Sequence, residues 1–579
     1  MTDKKLSAPH DATTKAAAPD TNRRNLLRTG LAAGGMAAFA AGYGETLAKG
    51  AKGLITGTSG VATASATRGN SLLPEFRIDP LTGLLSTQPG QTVSPSSCLG
   101  CWTQCGVRLR IDTATNRILR IAGNPYHPLA TTQPAPMETP VREVYAALGG
   151  DNGLEGRATS CARGSAMLEH QTAPHRVLAP LKRVGPRGSG QWKTISFEQL
   201  VQEVCDGGDL FGEGAVEGLR AVRDVQTLID ANNPEYGPKA NQLLVTDASN
   251  EGRTPLLKRF TGPSFGSVNF ANHGSYCGQS YRVGTAAAMG DLKGMPHAKP
   301  DFANTRFGLF IGTSPAQSGN PFQRQGRQLA EARTREDHSF QYVVVSPILP
   351  MSSSLAAGNN NRWLAIRPGT DLALAMGLIR WIIENERYDA AFLAQPGPAA
   401  MAAAGEASWS NATHLLINDA KHPRYGQFLR GADLGWPQPQ AVDEKEAPPD
   451  VYVVQLADGS LAAHTTAKPA DLFVTRTVTS AGESAQELAV CTSLTKLREE
   501  ALRQSLQQYS DQCGVPVAEI EALAKEFTSH GKQAVANSHG GTMSGSGFYT
   551  AYAIAMLNNL IGNLNVKGGW VVDAGAFGP

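Results

Sequence analysis

The sequence lacks an excess of charge of either sign, because 52 Lys and Arg residues are balanced by 50 Asp and Glu residues, for a net charge of +2. It also lacks a long basic run outside its N-terminal segment, so the charge pattern of a nucleic-acid-binding protein is missing. Apolar runs are interrupted by charge well before the ~20 residues that a membrane-spanning helix needs. We therefore expect no nucleic-acid partner and no transmembrane span in the mature chain, and any membrane attachment requires a partner protein.

The N-terminal segment resembles an export signal. Arg23 and Arg24 precede a short apolar stretch, rich in Ala and Gly, that runs from Leu31 to Tyr43. This order is typical of a twin-arginine signal, and it predicts a leader over residues 1–50 and a periplasmic location. The alternative is a basic amphipathic start that anchors the chain to a membrane. The twin-arginine route carries proteins that fold around a cofactor before export, so it favours a metal or cofactor protein.

Four of the eight cysteines form a pattern. Cys98, Cys101 and Cys105 lie within "SSCLGCWTQCGVRLRI", and Cys161 follows after a long polar excursion at the start of a predicted helix. This spacing lets one short loop hold three thiolates around a soft metal centre while a distant segment supplies the fourth. It predicts a [4Fe–4S] cluster. Structural zinc and disulfides are the alternatives, although three cysteines in eight residues are poorly placed for independent disulfides.

The other four cysteines carry weaker signals. Cys205, Cys491 and Cys513 stand in ordinary surroundings and are expected to be buried structural thiols. Cys277 differs, because it lies in a glycine-flanked loop between a predicted strand and a predicted helix. On local sequence, a buried thiol and a metal ligand are equally acceptable for Cys277.

From about residue 190 the chain repeats a short apolar strand, a Gly/Ser/Asn loop and a helix-period segment. Examples are "NQLLVTDASNEGRTPLLKRF", "FGLFIGTSPAQSGNPFQRQGRQLAEAR" and "KQAVANSHGGTMSGSGFYTAYAIAMLNNLIGN". Alternation of this kind predicts an α/β fold with parallel sheets and ligands at the carboxyl ends of strands. The loops offer backbone amides to phosphates, but none matches G-x-G-x-x-G or a Walker pattern. They suggest a large nucleotide-bearing cofactor, and simple turn glycines are the alternative for each loop taken alone.

Taken together, these segments resemble the molybdopterin oxidoreductases, the dimethyl sulfoxide reductase family. The resemblance rests on the following stretches: "CLGCWTQCGVRLRI", "RIAGNPYHPLA", "SCARG", "NHGSYCGQSYR", "FIGTSPAQSGNPF", "QYVVVSPILP", "RPGTDLALAMGLIRWI" and "NSHGGTMSGSGFY". It covers essentially the whole chain, and the cysteine segment is its most specific part.

The resemblance implies a [4Fe–4S] cluster beside a molybdenum bis(molybdopterin guanine dinucleotide) centre. The four patterned cysteines become the cluster ligands, Cys277 becomes the protein ligand to molybdenum, and Arg163 lies between cluster and pterin. Positions implied to contact the guanine dinucleotides are Gly312, Thr313, Ser314, Asn320, Ser346, Pro347, Thr370, Asp371, His539 and Gly540. His273, Tyr276 and Arg282 are candidates for holding an anionic substrate, since donors beside Cys277 would offset its charge. Packing of the loop is their alternative role.

The implied activity is two-electron reduction of tetrathionate to thiosulfate in anaerobic respiration. The implied partners are an iron–sulfur electron-transfer subunit, together with a quinol-oxidising membrane subunit that would attach the chain to the inner membrane. Reduction of thiosulfate, polysulfide or an arsenic oxyanion is the nearest alternative. From a different class, the chain could be a truncated iron–sulfur electron-transfer fragment that performs no catalysis.

The implied domain plan starts with the leader and a linker over residues 51–91. A small iron–sulfur domain would cover 92–185, the first half of a split α/β domain 186–271, and a doubly wound dinucleotide-binding domain 272–579. Against the four-domain plan of the family, the second half of the split domain and the C-terminal domain would be missing.

Overall fold

The computed structural model describes residues 76–572, apart from 79–80, 83–84, 88, 102, 132, 142, 145–157, 248–252, 277, 317–321, 338, 350–360, 441–448 and 483–484. The predicted twin-arginine segment therefore lies outside the described residues. So do two predicted site residues, Cys277 and Asn320. No helix in the described part of the chain is long and apolar enough to cross a membrane.

The first described elements are mostly antiparallel strands. They are β1 (Phe76–Ile78), β2 (Leu85–Thr87), β3 (Gln91–Ser97), β4 (Gly106–Asp112), β5 (Ile118–Gly123) and the helix α1 (Ala162–Thr172). The strands β1 and β2 pair with each other, so the predicted linker contains a small hairpin. The strands β3, β4 and β5 form one antiparallel sheet in that order, and α1 contacts β5. Because Ser97 pairs with Gly106, residues 98–105 form the connecting loop of a hairpin.

The next segment contains small strand pairs and short helices. Its elements are β6 (Leu181–Arg183), β7 (Trp192–Thr194), α2 (Phe197–Asp206), β8 (Gly207–Gly208), β9 (Val216–Glu217), α3 (Leu219–Val222), β10 (Val245–Asp247), α4 (Thr254–Arg259) and β11 (Phe270–Asn272). The strands β10 and β11 are parallel, with α4 between them in sequence. This strand–helix–strand unit agrees with the strand, loop and helix predicted around residue 250.

The remaining chain forms a mixed α/β arrangement. Its first elements are α5 (Gly278–Met289), β12 (Lys299–Pro300), β13 (Phe307–Ile311), α6 (Phe322–Arg333), β14 (Gln341–Val345), β15 (Asn361–Leu364), α7 (Asp371–Glu384), α8 (Ala390–Leu393) and α9 (Pro398–Ala404). Then follow β16 (Leu415–Ile417), β17 (Val453–Gln455), β18 (Leu461–Ala463), β19 (Thr475–Thr479), β20 (Glu487–Thr492), α10 (Ser493–Leu502), α11 (Leu506–Cys513), α12 (Val517–Ser529), β21 (Ala534–Asn537), α13 (Gly547–Leu560) and β22 (Trp570–Val571).

The central sheet is parallel and has the strand order β15, β14, β13, β21. Every residue is buried in β13 ("FGLFI") and in the edge strand β21 ("AVAN"), as expected for a parallel sheet with both faces covered. From β13 the chain proceeds outward through β14 and β15, and it returns to the other side of β13 only at β21. The order of strands therefore reverses between β13 and β21, which is where α/β sheets place their ligands.

The main core packs helices against this sheet. The helix α7 is amphipathic and buries Leu374, Leu378 and Ile382 completely or almost completely, which confirms the core helix predicted for this segment. It contacts α10, α11, α12 and α13. Complete burial of one such side chain contributes about 2 kcal/mol.

Residues between α9 and α10 form a separate β-rich insertion. The strands β16, β20 and β19 make one antiparallel sheet, and β17 pairs with β18 in a hairpin. The sequence predicts a surface loop with a hairpin over residues 436–464. The hairpin is confirmed, but Val453 and Val454 are fully buried, and Val453 belongs to the core of the insertion together with Leu415 and Val490.

The structure tests the three cysteines that the sequence assigns to the interior. Cys491 on β20 and Cys513 at the end of α11 are fully buried, as predicted. Cys205 is only partly buried, because it lies on α2, a helix that buries none of its residues.

Candidate functional site

The loop between β3 and β4 brings three cysteines together. The backbone N–H of Cys98 donates to the carbonyl of Cys105 at 2.9 Å, which closes the loop at its base. Within the loop, Gln104 takes a left-handed conformation with φ of 51°, and its N–H faces the carbonyl of Cys101 at 3.4 Å. The loop therefore curls back on itself and gathers the thiols of residues 98, 101 and 105.

A close backbone contact positions Cys161 beside the loop that carries the other three cysteines. A Cβ atom on Gly123, at the end of β5, would lie 2.3 Å from the carbonyl oxygen of Thr159, so only glycine fits there. The N–H of Thr159 donates to the carbonyl of Ala130 at 3.0 Å and fixes this crossing. Cys161 then caps α1, its sulfur accepting from the N–H of Gly164 at 3.4 Å. The sequence predicted both this helix start and the position of the fourth thiol.

The surroundings of two of these thiols, Cys98 and Cys105, disfavour negative charge. Burial raises the pKa of Cys98, although the N–H of Gly100, 3.5 Å from its sulfur, partly opposes the shift. Burial, followed by repulsion from the neighbouring thiolates, raises the pKa of Cys105 to about 11. A metal centre binds thiolates, so it would displace the protons that Cys98 and Cys105 retain at neutral pH.

The four thiols line one pocket and none is in a disulfide. Within the described residues, no three His, Cys, Asp or Glu side chains are close enough to hold a single metal ion. Four soft donors around a shared pocket fit a larger iron–sulfur cluster. Arg163 is exposed, lines the pocket, and places Nη1 3.4 Å from the carbonyl of Gly100.

A second site lies at the carboxyl ends of β13 and β21. A Cβ on Gly541 would lie 2.3 Å from the carbonyl oxygen of Gly312, and a Cβ on Gly312 would lie 2.8 Å from Oδ1 of Asp371. Three loops, after β13, before α7 and after β21, therefore converge here. Gly312 has φ of +65°, a left-handed conformation that also favours glycine.

Hydrogen bonds join two of these loops. The hydroxyl of Thr313 donates to the carbonyl of His539 at 2.6 Å, and the hydroxyl of Ser538 donates to the carbonyl of Ile311. Thr313, Ser538 and His539 are all buried. The other predicted nucleotide residues within the described chain lie at strand ends or beside these loops: Ser314, Ser346, Pro347, Thr370 and Gly540.

The carboxylate of Asp371, at the carboxyl ends of β13 and β21, has an oxygen that needs a hydrogen-bond donor. Its Oδ1 is buried and has no hydrogen-bond partner among the described residues, and burial raises the pKa of the group. A buried polar atom without a partner costs about 1–3 kcal/mol, and the described part of the chain supplies no donor for this one. Together with the close glycines, this fits the dinucleotide implied by the resemblance, because a guanine edge carries N–H donors.

The helix α5 is tied to the same strand ends, although the residue before it, Cys277, lies outside the described part. The hydroxyls of Ser280 and Thr542 are 3.1 Å apart. Tyr281, which is buried, donates to Oδ1 of Asn537 at 2.9 Å. A Cβ on Gly278 would lie 3.1 Å from Cε1 of His539. The N-terminus of α5 therefore lies beside the loop after β21.

The three candidate substrate residues surround this helix start. His273 and Tyr276 are the ends of a 3₁₀ turn that leads from β11 towards α5, and His273 is partly buried. Arg282, one turn into α5, donates through Nε to the carbonyl of Met295 at 2.7 Å, and Nη2 contacts the same oxygen. Part of its guanidinium is thus used to hold the turn before β12.

Two basic residues at this site were not predicted. Nε2 of His297 lies 2.7 Å from Nδ1 of His539, and Lys299 follows on β12 with an exposed fraction of 8%. Their segment, "GMPHAKPD", has no apolar period and no metal-ligand spacing, so no sequence signal marks it. The arrangement of His297 and Lys299 becomes visible only when distant segments of the chain pack together in the fold.

Comparison with protein-family models gives no match. Curated relatives do match. A tetrathionate reductase subunit of Salmonella typhimurium is 51% identical over 96% of this chain and 52% of its own length. A selenate reductase subunit of Mesobacillus selenatarsenatis is 31% identical over 82% of this chain and 47% of its own. A tetrathionate reductase subunit of Archaeoglobus fulgidus is 28% identical over 96% of this chain and 50% of its own.

The chain thus spans about half the length of the curated relatives it matches. The similarity extends across both the cysteine pocket and the strand-end site. On this evidence the chain belongs to the molybdopterin oxidoreductase family.

Proposed function

We propose that this chain carries the redox centres of a reductase that converts tetrathionate to thiosulfate in anaerobic respiration. One observation carries the proposal: the 51% identity to the tetrathionate reductase subunit of Salmonella typhimurium over 96% of this chain. Because the chain covers 52% of that relative, its activity, substrate and partners are all parts of the proposal.

The proposed cofactors are a [4Fe–4S] cluster and a molybdenum bis(molybdopterin guanine dinucleotide) centre. When bound, they would supply single-electron transfer into the site and paired electron transfer to the substrate. The cluster ligands are Cys98, Cys101, Cys105 and Cys161, supported by their shared pocket. Arg163 would lie between the two centres, where its charge would offset the negative charge of the cluster thiolates.

The protein's part at the molybdenum centre is to bind and orient it. Cys277 would be the metal ligand, supported by the position of its neighbour Gly278 against His539. The dinucleotides would contact the residues implied by the resemblance: Gly312, Thr313, Ser314, Asn320, Ser346, Pro347, Thr370, Asp371, His539 and Gly540. The unpartnered Oδ1 of Asp371 supports a guanine at this place, since guanine offers N–H donors to a carboxylate.

His273, Tyr276 and Arg282 would hold the dianionic substrate. Their support is their position on either side of Cys277 in the turn and helix that frame it. Cationic and hydrogen-bonding groups fixed at a site of growing negative charge are an effective way to lower an activation barrier.

The partners and location follow from the same proposal. Electrons would come from a quinol-oxidising membrane subunit through an iron–sulfur subunit, and the membrane partner would also attach the chain to the inner membrane. The twin-arginine pattern at Arg23 and Arg24 supports export to the periplasm in the folded state.

The first experiment is to measure iron, molybdenum and zinc per chain by mass spectrometry after anaerobic purification. About four irons with about one molybdenum is the expected result. Iron without molybdenum would contradict a catalytic role and leave an iron–sulfur electron-transfer fragment. Zinc alone would overturn the cluster.

The second experiment uses a reduced viologen dye and a panel of acceptors: tetrathionate, thiosulfate, polysulfide, selenate and arsenate. Tetrathionate should be reduced fastest. If another acceptor is reduced faster, that acceptor replaces tetrathionate as the proposed substrate. Cys277→Ala should abolish turnover while the electron paramagnetic resonance signal of the cluster persists. Turnover by that variant would rule out Cys277 as the molybdenum ligand.

A further inference from the structure

Lys299 has a buried side-chain nitrogen without a hydrogen-bond partner among the described residues. Its Nζ is inaccessible to solvent, and the exposed fraction of the residue is 8%. Removing an ammonium group from water costs several kcal/mol, and the group loses its proton unless a negative charge compensates that cost. A negative charge nearby would therefore favour the ammonium form of Lys299.

The neighbours of Lys299 do not provide that charge. Burial and the adjacent Arg282 lower the pKa of Lys299 to about 7. Burial, followed by the charge of Lys299, holds the pKa values of His297 and His539 well below the usual range, so both imidazoles are neutral at pH 7. Within the described residues, the charges that shift these three groups are all basic. Lys299 is thus about half protonated at pH 7, and the charges that act on it are positive. The buried carboxylate of Asp301, two residues further on, accepts hydrogen bonds from the N–H of Gly568 and the side-chain amide of Asn304 through Oδ2.

The two imidazoles lie next to the proposed active site. His297 and His539 face each other with ring centroids 4.6 Å apart, and His539 faces Gly278, the residue after Cys277. The aromatic ring of Tyr281 covers another side of His539, with centroids 6.2 Å apart and an edge-to-face arrangement. Lys299 lies two residues beyond His297 in sequence, and this pair of imidazoles leads to Gly278, the first residue of α5.

This inference depends on the proposed function, because the reaction determines what charge must be stabilised. Tetrathionate carries two negative charges, and it takes up two electrons as its central sulfur–sulfur bond breaks. The products are two thiosulfate dianions, so the site gains two negative charges and consumes no proton. The electrons come from quinol through the partner subunits, or from a reduced viologen in an assay. Neutral histidines cannot offset the added charge, but the guanidinium of Arg282 and the ammonium form of Lys299 can.

We propose that Lys299, together with Arg282, stabilises the negative charge that accumulates as the sulfur–sulfur bond of the substrate breaks. Lys299 acts through the electric field and not through contact with the substrate. The neutral His297–His539 pair keeps water away from the cations and transmits their field to the site. This arrangement makes the site selective for acceptors whose reduction adds charge without proton uptake.

The test uses the full chain with its cofactors and compares Lys299→Met and Lys299→Gln with the wild type. Thiosulfate binding is measured by titration calorimetry, and the molybdenum midpoint potentials are measured by electron paramagnetic resonance. Both variants should bind thiosulfate at least tenfold more weakly, reduce tetrathionate at least tenfold more slowly, and show more negative potentials. Their iron and molybdenum contents should match the wild type. Lys293→Met, which removes an exposed charge from the same segment, should change none of these values.

The outcomes separate this inference from the proposed function. Wild-type affinity and potentials in both Lys299 variants would overturn the inference, even if the wild type reduces tetrathionate. If the Lys299 variants lose thiosulfate affinity but the wild type reduces another acceptor, the substrate proposal fails and the anion-stabilising role stands. A wild type that binds no thiosulfate overturns the inference. A loss of metal in the variants would show that Lys299 is structural, and that result also contradicts it.

Discussion

Gly541 lies directly against Gly312, so that a Cβ atom on Gly541 would come within 2.3 Å of the Gly312 carbonyl oxygen and 2.5 Å of its carbon. Both neighbours are backbone atoms and cannot rotate away. The two loops that end β13 and β21 are thus in contact at the level of the main chain. This contact sets the width of the strand-end site.

Gly541→Ala should therefore separate the two loops. We expect about 2 kcal/mol of lost unfolding free energy and a clear fall in bound guanine nucleotide, because the strand-end site widens. Gly545→Ala is the matched control, since a Cβ at Gly545 meets nothing within 4 Å. Urea unfolding and nucleotide content measure both effects, and equal behaviour of the two variants would show that the close contact does not matter.

Asp371→Asn should lower the cofactor content without lowering the stability of the chain. Within the described part of the chain the buried Oδ1 has no partner, and burial raises the pKa of the carboxyl group, so burial penalises the ionised form. The amide removes that penalty, and the chain without cofactor should be equally stable or more stable. The guanine content after acid hydrolysis should fall, because a neutral amide binds a guanine edge less well than a carboxylate. A full guanine content would argue against the nucleotide role of this residue.

Gly123→Ala should remove the iron without removing a cysteine. The added Cβ would lie 2.3 Å from the Thr159 carbonyl oxygen, and the strand that leads to Cys161 would have to move. We expect iron to drop well below the ~4 atoms of an intact cluster, while all thiols remain titratable. Gly262→Ala is the control, because that position has open space around it. Full iron content in Gly123→Ala would show that Cys161 is not needed for the cluster.

His414 should make the β-rich insertion sensitive to acid. The residue is 1% exposed, and its Nε2 lies 2.8 Å from the carbonyl of Pro396. Burial lowers its pKa to about 4, compared with the usual 6.5 in an unfolded chain. The stability it contributes is therefore complete above pH 6.5 and is lost as the pH falls from 6.5 towards 4. Between pH 7 and pH 5 the loss should be about 2 kcal/mol.

The variant His414→Phe tests this acid sensitivity. It keeps the ring packing against Tyr452 and His464 but cannot take up a proton. Its stability at pH 7 should be about 1 kcal/mol lower because one hydrogen bond is lost, and the decrease between pH 7 and pH 5 should be smaller than in the wild type. His175→Phe, at an exposed position, should keep the wild-type pH dependence. Urea unfolding at the two pH values provides the comparison.

The parts of the fold that the sequence predicts are those set by local pattern. Runs such as "FGLFI" and "QYVVV" are too apolar for any place except a covered sheet, and the glycine loops that follow them mark the strand ends. The cysteine loop is predictable for the same reason, because Cys98, Cys101 and Cys105 lie within one hairpin connection.

What the sequence could not predict depends on packing between distant segments. The contact between His297 and His539 joins residues 242 positions apart, and no local pattern records it. Lys299 stands in a segment without apolar periodicity, so its burial follows only from the pairing of β12 with β22. Cys205 was wrongly assigned to the interior, because a strongly amphipathic helix pattern does not show how much of the apolar face a neighbour covers.

The separation of β13 from β21 has a consequence for biosynthesis. These strands are neighbours in the sheet, yet the hydrogen bond between Ser538 and Ile311 joins residues 227 positions apart. While the polypeptide is emerging from the ribosome, β13 has an unpaired edge until the β-rich insertion and three further helices have been made, which is a period of exposure to wrong pairing. The crevice between β13 and β21 cannot exist before residue 541 is synthesised. Insertion of the proposed nucleotide cofactor would therefore be a late event in the maturation of this chain, after translation of nearly all the described residues.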